Sequence, residues 1–270
     1  MPRGICKLCL KEAELQDSHF LPKRLYAAAR EHPGSHRNPN PLLISSKLTL
    51  QTSYQIKALL LCAECEERFN NWGERWTLRN CFNSATNFPL YMKLIQDFPL
   101  PESELSIAFY SAANVYGIEH LIYFAMSVFW RAAIHQWQWR GVSFGIDLGP
   151  YTEKLREFLL DEGPFPANIH LSVTICTPSS GQIGAYFPRQ FKRNKKDTYH
   201  SSEFFIPGIH FVLYTGQRIP EFVQSICVAT SSTRPITVSD ELIQKAFQNI
   251  IHISLKSTPD RWIRAKKNLV

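Results

Sequence analysis

The sequence predicts an α+β protein, with an N-terminal zinc-binding module followed by an α+β domain built on a buried helix and a mainly antiparallel sheet. Three observations predict it. Two CxxC pairs, Cys6-Lys-Leu-Cys9 and Cys62-Ala-Glu-Cys65, stand in the first part of the chain, and two short thiolate pairs can present four sulfurs at the tetrahedral angles of a structural Zn2+ site. A run that is apolar on nearly all sides, Ile118 to Gln138, has the length of a core helix. Several short segments after it alternate apolar and polar residues as half-buried strands do.

With 270 residues, 44% of them hydrophobic, the chain can bury a sizeable core. The expected division is a zinc module over 1–86, a connecting segment over 87–101 and an α+β domain over 102–270 that binds a substrate, a partner or a signal. The formal charge of +7 suits an acidic partner, of which nucleic acid is the commonest. Seven cysteines, an odd number, speak against a secreted disulfide framework and for reduced thiols that hold a metal. Cys81, Cys176 and Cys227 read as core residues. No apolar run precedes Cys6, and the apolar stretch Leu121 to Trp130 falls short of the roughly 20 residues a bilayer requires. A soluble, cytoplasmic protein without a membrane partner is expected. No P-loop, dinucleotide fingerprint, GxSxG or repeat appears.

Residues 5 to 20 read as a zinc knuckle followed by a short strand, which Leu21-Pro22 ends because proline cannot donate to a ladder. Lys23 to Arg30 is a short helix. The segment Glu31 to Pro41, rich in Pro, Asn, Gly and His, is loop chemistry. Lys47 to Thr52 alternates as a strand does, and Gln55 to Leu61 leads into the second knuckle. Glu66 to Arg79 has the composition of a helix. Knuckle, hairpin, knuckle, helix is the order of a treble-clef zinc fold. The gap between the CxxC pairs far exceeds the about 15 to 20 residues of a compact finger, and these elements fill it.

The stretch CKLCLKEAELQDSHFLP, followed by LLCAECEERF, resembles the zinc-stabilised branch of the HNH, or ββα-metal, endonucleases. In that branch one CxxC lies about ten residues before a D-H-x-x-P or S-H-x-x-P element, and an L-C-x-x-C opens the metal-site helix. The resemblance covers roughly residues 5 to 80. It implies that His19 is the general base that activates water for attack on a phosphodiester, work that suits an imidazole titrating near neutral pH. It implies that Cys6, Cys9, Cys62 and Cys65 hold a structural Zn2+, and that a second ion, Mg2+ or Mn2+, stabilises charge at the phosphate.

The chain departs from the pattern at three places. The family's metal-binding acid stands immediately before the histidine, where this chain has Ser18; Asp17 lies two residues from His19, so on a strand their side chains share a face. The family's middle Asn has no clear counterpart, and Gln55 is the nearest polar candidate. The last histidine is replaced by Glu66, a hard-oxygen ligand suited to Mg2+ or Mn2+. Glu66, Asn70 and Glu74 are spaced four apart and line one helix face. That face either looks onto His19 or is solvated, its acids complementing the helix dipole. The second-metal candidates are therefore Asp17, Gln55, Glu66 and Asn70.

In the remainder, Asn87 to Pro101, with three prolines, reads as a connection, and Glu104 to Tyr110 as a short strand. Trp130, Trp137 and Trp139 are expected in the core rather than in a base-stacking platform. Arg131 and His135, four apart on the helix expected over Ile118 to Gln138, either reach acids or phosphates or cap and form salt bridges within their domain. A helix over Thr152 to Leu160 ends at Asp161-Glu-Gly163-Pro. Ile169 to Cys176 alternates as a strand with one wet face, and Ile183–Phe187, Phe204–Tyr214 and Phe222–Ala229 supply further strands. Ser239 to Ile251 closes as an amphipathic helix. Nucleic-acid contacts are expected from Lys23, Arg24 and Arg68 and from a basic hairpin tip carrying Arg189, Lys192, Arg193, Lys195 and Lys196, unless that tip is only a solvated loop. The terminal run Arg261 to Lys267 has the same two explanations.

The functional expectation is an HNH-like endonuclease acting on nucleic acid, DNA above RNA, in bacterial defence or a mobile element and restrained by a partner or ligand. The alternative is a zinc-binding nucleic-acid-binding, regulatory or structural protein that does not cut.

Overall fold

Leu15 and Ser18 are both buried along one strand while Glu12, Glu14 and Asp17 face water; a shift of strand register between Gln16 and Asp17 brings the two buried residues, three apart, inward. In this computed structural model the described residues are 2–28, 42–44, 49–51, 54–96, 99–103, 107–139, 142–180, 185–191, 198–229 and 233–257. In chain order they form β1 (Arg3–Ile5), β2 (Glu12–His19), α1 (Lys23–Ala28), the strand pair β3 (Leu42–Ile44) and β4 (Thr49–Gln51), β5 (Lys57–Cys62) and α2 (Ala63–Phe69). A π-helical turn, Asn70–Glu74, joins α2 to α3 (Arg75–Asn80), and α4 (Pro89–Leu94), β6 (Pro99–Ser103) and β7 (Ile107–Ser111) follow. Next come α5 (Ile118–Ile134), β8 (Trp137–Trp139), β9 (Val142–Phe144), α6 (Tyr151–Leu160) and β10 (Ile169–Ile175). The chain continues through β11 (Tyr186–Gln190), β12 (Tyr199–Ile206), β13 (Ile209–Gly216), α7 (Glu221–Ser225), β14 (Pro235–Val238) and α8 (Asp240–Ser257).

The fold is α+β, as expected, and its larger strand pairs are mainly antiparallel. β1, β2 and β5 form a three-stranded sheet, and β11-β12-β13-β10-β14-β7-β6 form a seven-stranded one. One pair in the larger sheet, β10 with β14, is parallel. Pro207-Gly208 turns β12 into β13; Gly208 takes φ +76 there, a conformation glycine adopts without penalty. The single strand expected over Phe204–Tyr214 is thus a hairpin.

Helix α5 sits between the seven-stranded sheet and the helices that follow the second CxxC. Phe124 and Phe129 pack on Phe204 of the large sheet at 6.1 and 4.9 Å between ring centroids. On its other side α5 meets the helix after the second CxxC, where Phe69 lies edge-on to Trp130 at 5.9 Å. Phe20, just past β2, is stacked between Trp137 at 4.5 Å and Phe187 at 5.1 Å. Apart from a small cluster of Ile219, Val223 and Cys227, the buried apolar side chains among the described residues, from Cys6 to Ile250, belong to one continuous cluster. Trp130 and Trp137 are core residues, as expected, as are Cys81, Cys176 and Cys227.

Several elements differ from expectation, each for a physical reason. The segment read as a connection holds α4, begun by Pro89 whose fixed φ suits a first helical turn, and the edge strand β6. Phe222 to Ala229 is helical at α7 rather than a strand, and it covers the sheet through Val223 and Cys227. That cover, together with α8, closes the face of β10 expected to be wet, so His170 and Ser172 are both buried. Helix α5 ends at Ile134, where His135 turns extended and Trp137 starts a strand. The expected loop over 31–41, the basic residues 192–197 and the terminal run 261–267 lie outside the described residues. Among the described residues no helix is long and apolar enough to cross a membrane.

Candidate metal centre and histidine site

The first CxxC is a tight turn closed by the backbone. Leu10 N–H donates to Cys6 O at 2.9 Å, with Leu10 in the left-handed region at φ +59. Lys7 N–H donates to Leu60 O at 2.9 Å, which pins the turn against β5. β5 itself ends at Cys62, the residue that opens α2, so Cys65 falls in the first helical turn. Strand pairing and helix start therefore bring the two CxxC pairs together across a long stretch of chain.

The four Sγ atoms lie within 4.8 Å of one another. Cys9 Sγ and Cys62 Sγ are 3.9 Å apart, close to the about 3.8 Å edge of a tetrahedron with metal–sulfur bonds of about 2.3 Å. A disulfide needs about 2.05 Å, so these are free thiols. The electrostatics match a cation site. The Cys6 thiol is drawn down to about 4, first by a hydrogen bond from Cys65, against its burial and with help from the N–H groups of Cys9, Cys62 and Leu8. Cys65 is pushed up by the same bond and by burial, and Cys9 chiefly by burial. Sulfurs this close and this buried cannot all be negative without a cation between them. The cluster can hold a metal ion such as zinc. Among the described residues it is the one group of three or more His, Cys, Asp or Glu gathered in this way.

His19 stands at the end of β2, one hairpin away from the cysteines. Its Nε2 lies 2.7 Å from Gln55 Oε1, and its carbonyl accepts from Arg131 Nη1 at 2.9 Å. The neighbouring Ser18 is fully buried and donates its hydroxyl hydrogen bond to Glu66. Two of the three positions at which this chain departs from the HNH pattern, before the histidine and after the second CxxC, thus meet each other. Asp17 points the opposite way, since adjacent strand residues alternate, and forms an ion pair with Lys57 at the surface. Asn70 is exposed in the π turn.

The candidates for a second ion consequently do not form one cluster. Gln55 holds the histidine, Glu66 holds Ser18, Asp17 holds Lys57 and Asn70 faces solvent. The π turn explains Asn70: its wider helical turn breaks the four-residue register, so Glu66, Asn70 and Glu74 do not line one face. Glu74 instead accepts from the buried Arg131 at 2.6 Å.

The basic candidates divide as well. Lys23 and Arg24 are exposed on α1, and the Arg68 guanidinium lies 5.9 Å from the Trp72 ring centroid. Arg189 is taken up within the fold, its Nε donating to the buried Glu203 at 2.6 Å. Lys192, Arg193, Lys195 and Lys196 lie outside the described residues.

Near the histidine stand Tyr26, which the sequence patterns did not single out, and Arg131, for which a salt bridge was one of the expectations and which pairs with Glu74. Tyr26 brings its ring within 6.4 Å of His19, its hydroxyl buried without a hydrogen-bond partner among the described residues. Arg131 crosses from α5. A lone arginine in an otherwise apolar helix was a usable signal for it; nothing in the pattern around Tyr26 distinguishes it. No protein-family model matches the chain, and no curated protein or solved structure matches it.

Proposed function

We propose that the chain is an HNH-like nuclease whose N-terminal module is braced by Zn2+ on Cys6, Cys9, Cys62 and Cys65, with His19 as the general base on a nucleic-acid phosphodiester. The observation that carries it is the hydrogen bond of 2.7 Å between His19 Nε2 and Gln55 Oε1. With the amide oxygen accepting, Nε2 carries the hydrogen and Nδ1 keeps the lone pair that takes a proton from water. Gln55 then acts as an orienting partner for the imidazole, and Arg131 fixes the backbone that carries it. Zn2+ in the thiolate cluster supplies rigidity rather than chemistry. Because Asp17 and Glu66 point to different partners, no step is assigned to Mg2+ or Mn2+.

That same divergence of the two acids favours a second reading, a zinc-braced nucleic-acid-binding module that does not cut. The deciding experiment is cleavage of plasmid, single-stranded DNA and RNA with added Mg2+ or Mn2+ and with neither, comparing wild type with His19→Ala at equal zinc content. Cutting that falls by about 10²- to 10⁴-fold in the variant supports the nuclease. Equal cutting by both proteins removes His19 from the chemistry, and no cutting by zinc-loaded wild type leaves the binding module. Retention in bacterial defence or a mobile element, DNA as the preferred substrate and restraint by a partner or ligand belong to the same proposal.

A further inference from the structure

One flank of the helix that follows the second CxxC carries rings and cations in alternation. Trp72 is 51% exposed and Tyr116, at the start of α5, is 92% exposed, although large aromatic side chains are ordinarily buried. A chain of contacts joins the segments that carry them. The Trp72 carbonyl accepts from His120 Nδ1 at 2.7 Å, the His120 ring lies 6.4 Å from that of Trp76, and Trp76 packs flat on Gly117, where an added Cβ would come within 2.3 Å of its indole nitrogen. Tyr116 is the residue beside that glycine.

Four cations stand on or beside the elements that carry these rings. Arg68 lies over Trp72, and Lys93 Nζ stands 5.2 Å from the Trp76 ring. Arg75 and Arg79, four apart on α3, are exposed and form no ion pair among the described residues. Of the acids on these elements, Glu74 is paired with Arg131 and Glu119 with Arg234, while Glu64 and Glu67 stand exposed on α2. A hydrophobic protein partner would not call for this many unpaired cations, whereas a nucleic acid supplies both a phosphate for each cation and a flat base for each ring.

We propose that the surface of Trp72, Trp76 and Tyr116 with Arg68, Arg75 and Arg79 binds single-stranded nucleic acid, bases stacking on Trp72 and Tyr116 while the arginines contact phosphates. Bases stacked inside a duplex do not offer their faces to such rings, so the single strand is preferred. The proposal rests on the nucleic-acid part of the preceding reading and not on cleavage.

The test is binding of fluorescein-labelled 20-nucleotide DNA and RNA strands and of the matching duplex, by anisotropy, with no added divalent ion so that cutting plays no part. Single strands of one or both chemistries bind more tightly than duplex. Trp72→Ala and Tyr116→Ala each weaken single-strand binding by about tenfold, at unchanged zinc content and circular dichroism. Tyr116, almost wholly exposed, keeps the test sound should Trp72→Ala disturb its packing on Tyr123. Arg75→Gln with Arg79→Gln lowers the slope of log affinity against log salt by about 1.4, two phosphates at about 0.7 each. Binding unchanged in both ring variants, duplex bound as tightly as single strand, or no strand bound by zinc-loaded wild type overturns the proposal. A wild type that binds strands and never cuts them leaves this surface standing and removes only the nuclease.

Discussion

Gln55 governs His19 through one hydrogen bond, and its replacement separates orientation from basicity. Gln55→Ala leaves the ring free to turn and to exchange tautomers, so on the proposed nuclease reading cleavage falls by about 10- to 100-fold, the usual effect of losing an outer partner. Gln55→Glu keeps an acceptor within reach of Nε2 and adds a negative charge, which favours the protonated ring. The rising limb of the pH–rate profile then moves to higher pH while the plateau survives. A pH–rate series on the three proteins checks this, and superimposable profiles would remove Gln55 from the site. At this scale the cysteine cluster was legible because metal-ligand chemistry fixes the spacing within each CxxC pair. The partnership of Gln55 with His19 spans 36 positions and depends on strand register. So does that of Ser18 with Glu66, which no local pattern encodes.

Among the elements, the π turn at Asn70–Glu74 decides how the helix that follows the second CxxC meets α5. It widens the helix where Gly73 lies against α5, so near that an added Cβ would stand 2.9 Å from both the nitrogen and the Cα of Phe124. Backbone atoms cannot rotate away as a side-chain tip does. Gly73→Ala therefore separates the two helices and costs about 1 to 3 kcal/mol, the range of overpacked cores, in spite of alanine's better helix propensity. Urea unfolding measures it, and a midpoint equal to or above wild type would show that the helices part without cost. Sequence composition predicted one regular helix here, because a π turn leaves no mark in hydrophobic period. The same limit applies to α7, whose apolar run Phe222 to Val228 suited a strand until Pro220 and the covering role of Val223 settled it as helix. By contrast α5 was legible almost to its end, since only a buried helix is apolar on every side.

Across the whole molecule, Arg131 joins what the sequence suggested were separate domains. It rises from α5, is 1% exposed, and spends its donors on the His19 carbonyl at 2.9 Å, Glu74 at 2.6 Å and Ser127 O at 3.4 Å. Its guanidinium also lies 5.2 Å from the ring centroid of Phe69. Composition breaks mark domain boundaries only when few contacts cross them, and side chains that pack across a boundary are invisible in a linear pattern. Arg131→Met keeps the buried stem but leaves Glu74 and the His19 carbonyl without their donor. Loss of one partner of a buried pair costs about 3 to 5 kcal/mol. Removing both charges, Arg131→Met with Glu74→Leu, recovers part of that loss, because the double change leaves no orphaned carboxylate; the non-additivity is about 0.5 to 3 kcal/mol. Because the same residue touches the backbone of His19, the single variant also loses cleavage or strand binding beyond its loss of folded protein, measured at a temperature where both proteins remain folded. Additive stability effects in the cycle, or a single variant as active per folded molecule as wild type, would reduce Arg131 to a packing residue and return the two parts of the chain to independence.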